Sequence, residues 1–296
     1  KECFVVNLAC VVVVTYFNIA SAESLREDKH STSTPDLFPN RCEHSEYVQN
    51  EKRRKDFVNH LSTSSVLEQS VNEIKRIQRM AALKPKDWKQ VSLKHREKFE
   101  KLLKIWETAK NDPKAITIIS NNGVCFQEEF LIGRGSYGTE VYVCLGSDGI
   151  ERAIKRIPKV LCNLLKNERD LLTSQNAVES PRVVNYHFYD DTSSPDFGYL
   201  ILNLYEQNLE EFVKEESETI TESRAREMIR QVLEGLKALH AREPRILHRD
   251  LKPTNILVDV HGDLALSDFG IGRFFPKQGA TTYHTSNERG SNGWIA

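Results

Sequence analysis

The chain has 296 residues, enough for one large domain with extensions or for two domains. Its 41 basic and 42 acidic side chains leave a formal charge of −1, which excludes a global electrostatic pull toward nucleic acid or anionic lipid. A hydrophobic content of 39% suits a packed core diluted by polar segments.

Residues 3–22 are almost all apolar or small, with Val11–Val14 at the centre and Asn7 and Asn18 as the polar interruptions. About twenty such residues are the length of a membrane-spanning helix. A secretory leader is the other reading, with Ala20-Ser21-Ala22 as its cleavage site. A buried segment of an upstream domain is a third. Downstream basic residues, Arg26, Lys29, Arg41 and Lys52–Lys55, favour a helix with the following chain on the cytosolic side. Residues 23–45 are rich in Ser, Thr, Pro and charge and read as a polar linker.

From 46 to 115 the pattern is helical and reads as a regulatory or linker region, or as helices that pack on the next domain. Leu67, Val71, Ile74 and Ile77 recur at three to four residues, as do Trp88, Val91, Phe99, Leu102 and Trp106. Pro85 separates the two stretches and Asn111-Asp112-Pro113 ends the second. From 116 onward short strands are expected at Ile116–Ile119, Val124–Phe126 and Leu131–Ile132. The six cysteines, Cys3, Cys10, Cys42, Cys125, Cys144 and Cys162, form no CxxC pair and no zinc pattern, and read as reduced thiols.

Gly133-Arg134-Gly135-Ser136-Tyr137-Gly138 follows one apolar run and precedes Val141-Tyr142-Val143. Glycines let a hairpin present its N–H groups to phosphate oxygens. A dinucleotide site would need a helix after the glycines, whereas Val141-Tyr142-Val143 reads as a strand. In the next strand, Ala153-Ile154-Lys155, the lysine can reach nucleotide phosphates if a carboxylate holds it. Glu168, thirteen residues on and within a helical stretch, is that carboxylate. In His248-Arg249-Asp250-Leu251-Lys252-Pro253-Thr254-Asn255, Asp250 suits the role of base for a substrate hydroxyl. Lys252 suits neutralising a transferring phosphoryl group, and Asn255 suits holding magnesium. Ser267-Asp268-Phe269-Gly270 comes eighteen residues after Asp250, with Asp268 as the second magnesium ligand. Together these motifs point to phosphoryl transfer with ATP and Mg as cofactors.

Residues 124–296 resemble a eukaryotic protein kinase domain, and Lys252, two residues after Asp250, resembles the serine/threonine branch. The resemblance implies an α+β, two-lobed kinase fold over 116–296, with a β-rich upper lobe and a helical lower lobe that is incomplete at Ala296. Three stretches are similar to the inositol-requiring kinase/endoribonuclease family, the membrane sensors of the unfolded protein response. They are Arg152–Ile157, Tyr199–Tyr205 as the hinge, and Gly290-Ser291-Asn292-Gly293-Trp294-Ile295-Ala296 as the close of the activation segment. That likeness implies a membrane protein of the endoplasmic reticulum with its kinase in the cytosol, a protein substrate and self-association.

The expected nucleotide-binding residues are Gly133 to Gly138, Val141, Ala153, Lys155, Asn203 and Tyr205. Glu140 departs from the pattern, since an apolar residue is expected there to pack on adenine; Val141 can serve in its place. Thr281, Thr282, Thr285, Ser286 and Ser291 are autophosphorylation candidates, and an added phosphate would pair with Arg249. The sequence reads as a fragment that stops before the lower lobe is complete and exposes apolar surface as a result. No residue present points to nucleic-acid contact or ribonuclease chemistry. A nucleotide-binding module that switches self-association without transferring phosphate is the alternative function.

Overall fold

The computed structural model describes residues 71, 72, 75, 78, 82–108 and 115–275. The apolar run 3–22, the polar linker, the activation-segment hydroxyls and the closing Gly290–Ala296 lie outside the described residues. Among the described residues no helix is long and apolar enough to cross a membrane.

The upper lobe is a seven-stranded antiparallel sheet. Its path runs β1 (Thr117–Ile119), β2 (Asn122–Val124), β4 (Glu140–Gly146), β5 (Glu151–Pro158), β7 (Phe197–Asn203) and β6 (Tyr186–Asp190), with β3 (Leu131–Arg134) paired to β4. β1, β3 and β4 follow the expected Ile, Leu-Ile and Val-Tyr-Val runs, whereas the run expected as a strand over 124–126 contributes only Val124, at the end of β2. Ile119, Val124, Phe130, Val143, Leu145 and Ile154 form the centre of the core and are 0–1% exposed.

Helix α1 (Arg96–Thr108) precedes the sheet and belongs to the same core. Phe99, Leu102 and Trp106, spaced three and four apart, form its buried stripe. Trp106 lies so close to Gly123 that a Cβ there would fall 2.3 Å from its ring. Over 96–108 the chain is helix packed on the domain, while most of the remainder of the expected helical region, residues 46–70 among it, lies outside the described residues. Residues 86–92, where the periodicity suggested helix, are not helical. Their polar groups are drawn to the domain instead. Lys89 N–H donates to Gly149 O (2.8 Å), and Val91 and Ser92 N–H to Glu151 Oε2 (both 2.7 Å), while Trp88 Nε1 donates to Glu151 Oε1 (2.9 Å).

This strap also reaches the hinge. Leu93 and Lys94 N–H donate to the Glu206 carboxylate at 2.7 and 2.8 Å, and the Ser92 hydroxyl does so at 3.1 Å. Ser92 Oγ accepts from His95 N–H (3.0 Å), a side-chain cap just ahead of α1. Lys94 continues to Glu215 at 3.3 Å on α4 (Leu209–Glu216) of the lower lobe. Residues 88–95 therefore join an upper-lobe strand, the hinge and a lower-lobe helix.

Between β5 and β6 stand α2 (Cys162–Leu172), the expected helix around Glu168, and the short α3 (Gln175–Val178). Below the hinge come β8 (Gln207–Asn208), α4, and α5 (Glu222–Leu239), capped by Thr221 Oγ1 accepting from Arg224 N–H at 3.2 Å. Strands β9 (Arg245–Leu247), β10 (Ile256–Val258), β11 (Leu264–Leu266) and β12 (Arg273–Phe275) complete the described chain. β10 and β11 form an antiparallel hairpin whose open end carries Asn255 and Ser267. A second core, including Leu171, Val183, Leu239, Ile246, Val258 and Phe269, fills the lower lobe. Cys125, Cys144 and Cys162 are buried free thiols. Burial pushes all three thiols above their ordinary pKa, as suits unreactive core residues.

Candidate active site

Strand parity sorts the residues of the upper lobe. Residues directly opposite on paired strands share a face. Gly133 stands opposite Val141, Val141 opposite Lys155, and Val143 opposite Ala153, so these residues share the face that carries Lys155. Arg134, Glu140 and Arg156 fall on the other face. There Glu140 pairs with the Arg156 guanidinium, which is seated among the rings of Phe197 (4.4 Å to the centroid), Phe126 (4.7 Å) and Tyr142 (5.1 Å). The Arg156 contact holds the Glu140 carboxyl below its usual range. Glu140 is thus a support of the loop from behind, and Val141 takes the apolar position toward the cleft.

The same parity separates the side chains of two expected nucleotide-binding residues from Lys155. Arg134 points away from the Lys155 face and pairs with Glu128 at 2.5 Å. Asn203 stands opposite Arg152, on the face away from Lys155, and its side chain meets His187. Tyr205 follows β7 and packs its ring on the lower-lobe core, where burial pushes its phenol up to about 12. The glycine-rich turn itself is tight: Gly135 N–H donates to Thr139 O (2.9 Å) and Thr139 N–H to Ser136 O (3.2 Å). Tyr137 (φ 61°) and Gly138 (φ 73°) carry the left-handed turn, and Ser136 and Tyr137 are exposed.

Lys155 Nζ lies 2.7 Å from Glu168 Oε2 and 2.8 Å from Asp268 Oδ1. Burial alone would lower the ammonium's pKa; the charges of Asp268 and Glu168 outweigh it and hold the lysine above its ordinary range. Burial raises the Glu168 carboxyl, opposed by Lys155, whereas the Lys155 charge holds Asp268 below the usual carboxylate range. One ammonium between two carboxylates leaves a net charge of −1, the sign that receives a cation.

In the lower lobe Asn255 Nδ2 donates to both Asp250 Oδ2 (2.8 Å) and Asp250 O (2.9 Å), and Lys252 Nζ lies 2.9 Å from Asp250 Oδ2. With its N–H groups turned to Asp250, the amide oxygen is what Asn255 offers a cation. Among the described residues no group of three or more His, Cys, Asp or Glu side chains could enclose a metal. A carboxylate and an amide oxygen, completed by phosphate oxygens, suit a magnesium ion that keeps much of its shell outside the protein. Asn255 and Asp268 fit that group.

Phe269 is fully buried, and His248 lies against it with ring centroids 4.6 Å apart. His248 Nε2 donates to Ser267 O at 2.8 Å, and the Ser267 hydroxyl donates to Asn255 O at 3.0 Å. His248 and Ser267 were legible as motif letters only; their role as struts between the two catalytic segments comes from the fold. Asn167, whose Nδ2 lies 2.9 Å from Gly272 O, escaped sequence reading altogether. Its only signal was its place beside Glu168.

Apolar strands over an ammonium, a fixed carboxylate below it and two oxygen ligands for a cation make a site suited to phosphoryl transfer between two lobes. A sequence profile of the protein kinase domain matches residues 126–296, and the chain belongs to the protein kinase family. It is 30% identical over 192 residues to the serine/threonine-protein kinase/endoribonuclease IRE2 of Homo sapiens, an alignment covering 63% of this chain and 20% of that protein. It is 34% identical over 176 residues to the serine/threonine-protein kinase/endoribonuclease ire-1 of Caenorhabditis elegans, covering 56% and 17%. It is 28% identical over 174 residues to cyclin-dependent kinase 7 of Dictyostelium discoideum, covering 54% and 47%. The chain spans less than half the length of these relatives.

Proposed function

We propose that this chain transfers the γ-phosphoryl group of ATP to serine or threonine hydroxyls of a protein substrate. The carrying observation is Lys155 held by Glu168 and Asp268 together, above an Asp250 fixed by Asn255 and Lys252. The glycine-rich turn offers backbone N–H groups to the phosphates, and Lys155 pairs with their charge. Asp250 accepts the proton of the attacking hydroxyl, and Lys252 beside it offsets negative charge developing on the transferred group. Magnesium, held by Asn255 and Asp268, would neutralise charge on the phosphate oxygens.

Transfer of labelled phosphate from ATP to a serine- and threonine-rich protein, and to the chain itself, tests this reading. Loss of transfer in Asp250→Asn is expected. Activity surviving Asp250→Ala would overturn the mechanism. Nucleotide-dependent self-association with no transfer would favour the switching module instead.

A second reading places the chain in a membrane-bound kinase/endoribonuclease sensor of the unfolded protein response, self-associating and facing the cytosol. Its support is the similarity to the human and nematode kinase/endoribonucleases and the apolar run 3–22. Protease protection of epitope tags on either side of residues 3–22 in microsomes tests the membrane part. RNA cleavage by the complete parent protein tests the nuclease part.

A further inference from the structure

The chain changes lobes between Leu204 and Tyr205. Leu204 is buried in the upper-lobe core, whereas the ring of Tyr205 packs on the lower-lobe core. Glu206 comes next and belongs to both. Its backbone is fastened below: Glu206 N–H donates to Val258 O at 2.8 Å, and Gln207 then pairs with Val258 in the lower-lobe sheet. Its carboxylate is fastened above, to the strap, by Leu93 N–H (2.7 Å), Lys94 N–H (2.8 Å) and the Ser92 hydroxyl (3.1 Å).

The strap travels with the upper lobe because both of its ends are held there. Upstream, Lys89 N–H donates to Gly149 O (2.8 Å), and Val91 and Ser92 N–H share Glu151 Oε2 (both 2.7 Å). Glu151 is 1% exposed, so water does not compete for these bonds. Downstream, Phe99, Leu102 and Trp106 of α1 lie in the upper-lobe core. Between these ends the strap dips to the lower lobe, where Lys94 Nζ reaches Gln207 Oε1, Glu215 (3.3 Å) and Glu211 (3.9 Å). Lys94 is exposed, and exposed ion pairs contribute little. The Glu206 carboxylate, with its three donors, is the stronger of the two crossings.

We propose that the strap is a splint across the hinge and that Glu206 is the positioning residue through which it sets the angle between the lobes. Opening the nucleotide cleft rotates the lobes about residues 204–206. That rotation pulls the Glu206 carboxylate away from N–H groups that move with the upper lobe. A closed cleft retains nucleotide, and departure requires opening. The splint therefore slows the release of ADP, and anything that draws residues 88–95 off the hinge speeds it. For nucleotide release this deepens the kinase reading and rests on it.

Two measurements on the full chain test the proposal. In the first, spin labels are attached to p-acetylphenylalanine placed at Gln127 of the upper lobe and at Lys237 on α5 of the lower lobe, both exposed. Pulsed electron paramagnetic resonance then reads the distance between the lobes without nucleotide. Glu206→Ala should broaden the distribution and move it to longer distance. Glu206→Gln keeps the size and one acceptor, so its distribution should lie between. In the second, stopped flow follows dissociation of a fluorescent ADP analogue. Glu206→Ala should release it about fivefold faster, since only the part of the splint that differs between open and closed clefts acts on the rate. Lys94→Ala should change the rate less than about twofold. Glu151→Gln cuts the same connection at its upper end, so Glu151→Gln with Glu206→Ala should be no faster than the faster single variant. Should Glu206→Ala lose its fold, Glu206→Gln carries both measurements.

A wild-type distance distribution in the Glu206 variants would overturn the proposal. So would faster release with an unchanged distribution, which places the effect at the nucleotide site. Rates that multiply in the double variant would overturn it too, since they mark two independent losses. If the wild-type chain binds no ADP analogue, the kinase reading fails while the distance measurement still decides whether the strap sets the angle between the lobes.

Discussion

Glu206 in the hinge accepts the backbone N–H of Leu93 at 2.7 Å, across 113 positions of sequence. The same carboxylate takes Lys94 N–H and the Ser92 hydroxyl, so the hinge carries a cap for the segment that leads into α1. Hydrogen bonds to a charged acceptor contribute about 1.5–3 kcal/mol each when buried, less when water competes. Glu206→Ala is therefore expected to cost about 1–3 kcal/mol. Trp106→Ala, which empties a fully packed site against Gly123, is expected to cost about 3–5 kcal/mol. Urea denaturation of the two variants measures both. A Trp106→Ala midpoint equal to wild type would mean that α1 is not part of the cooperative core.

Strand parity gives a paired prediction for nucleotide affinity. Glu140→Gln should weaken the hold on Arg156 and leave KM for ATP within about threefold, because that side chain lies behind the sheet. Val141→Glu should raise KM at least about tenfold, because it sets a carboxylate on the Lys155 face where phosphates bind. Steady-state kinetics over a range of ATP concentrations separates the two. Equal effects would refute the assignment of faces.

Removal of the carboxylate that takes the hydroxyl proton should be the most damaging change that leaves binding intact. Asp250→Asn is expected to lower kcat by about a hundred- to ten-thousandfold. Asn255→Ala removes both a candidate cation ligand and the donor that fixes Asp250, so its defect should deepen at low magnesium. Magnesium titration of initial rates distinguishes the two, since Asp250→Asn should show no such dependence.

Acid should loosen the fold through three histidines. Burial lowers the pKa of His95, only partly offset by the Glu206 charge, and burial likewise lowers those of His240 and His248. A group whose folded pKa lies below its unfolded value binds fewer protons folded than unfolded. Its stability contribution is complete above about pH 6.5 and is lost as pH falls below it. Thermal midpoints should therefore decline between about pH 6.5 and 5.5, and the decline should be shallower in His95→Gln. An identical pH profile for that variant would remove His95 from the account.

Catalytic identity was legible because short motifs bring their own local geometry. Asp250 and Asn255 lie in one loop, so spacing alone brought the amide to the carboxylate. Lys155 and Glu168 needed only one strand and one helix. What escaped reading depended on longer connections. Nothing in the sequence marks Glu151 and Glu206 as acceptors, since the strap that donates to them lies 60 and 113 positions away. Residues 86–92 carry apolar spacing compatible with helix, yet their N–H groups have better acceptors on β5 and the hinge, and tertiary partners overrode the local pattern. Arg134 came with the glycine-rich turn and Asn203 with the hinge strand; the motifs do not say where their side chains point, because the alternation of the pleat sends immediate neighbours to opposite faces.

Gly123 has no unusual backbone conformation; it is glycine because Trp106 occupies the place where its side chain would be. Neither residue is therefore free to drift alone. A bulkier residue at 123 needs a smaller one at 106, and a tryptophan at 106 forbids any side chain at 123. Among diverging relatives, the two positions should change together or not at all. A glycine at the second position of β2 then becomes a marker, inside the sheet, for an extension that begins before it.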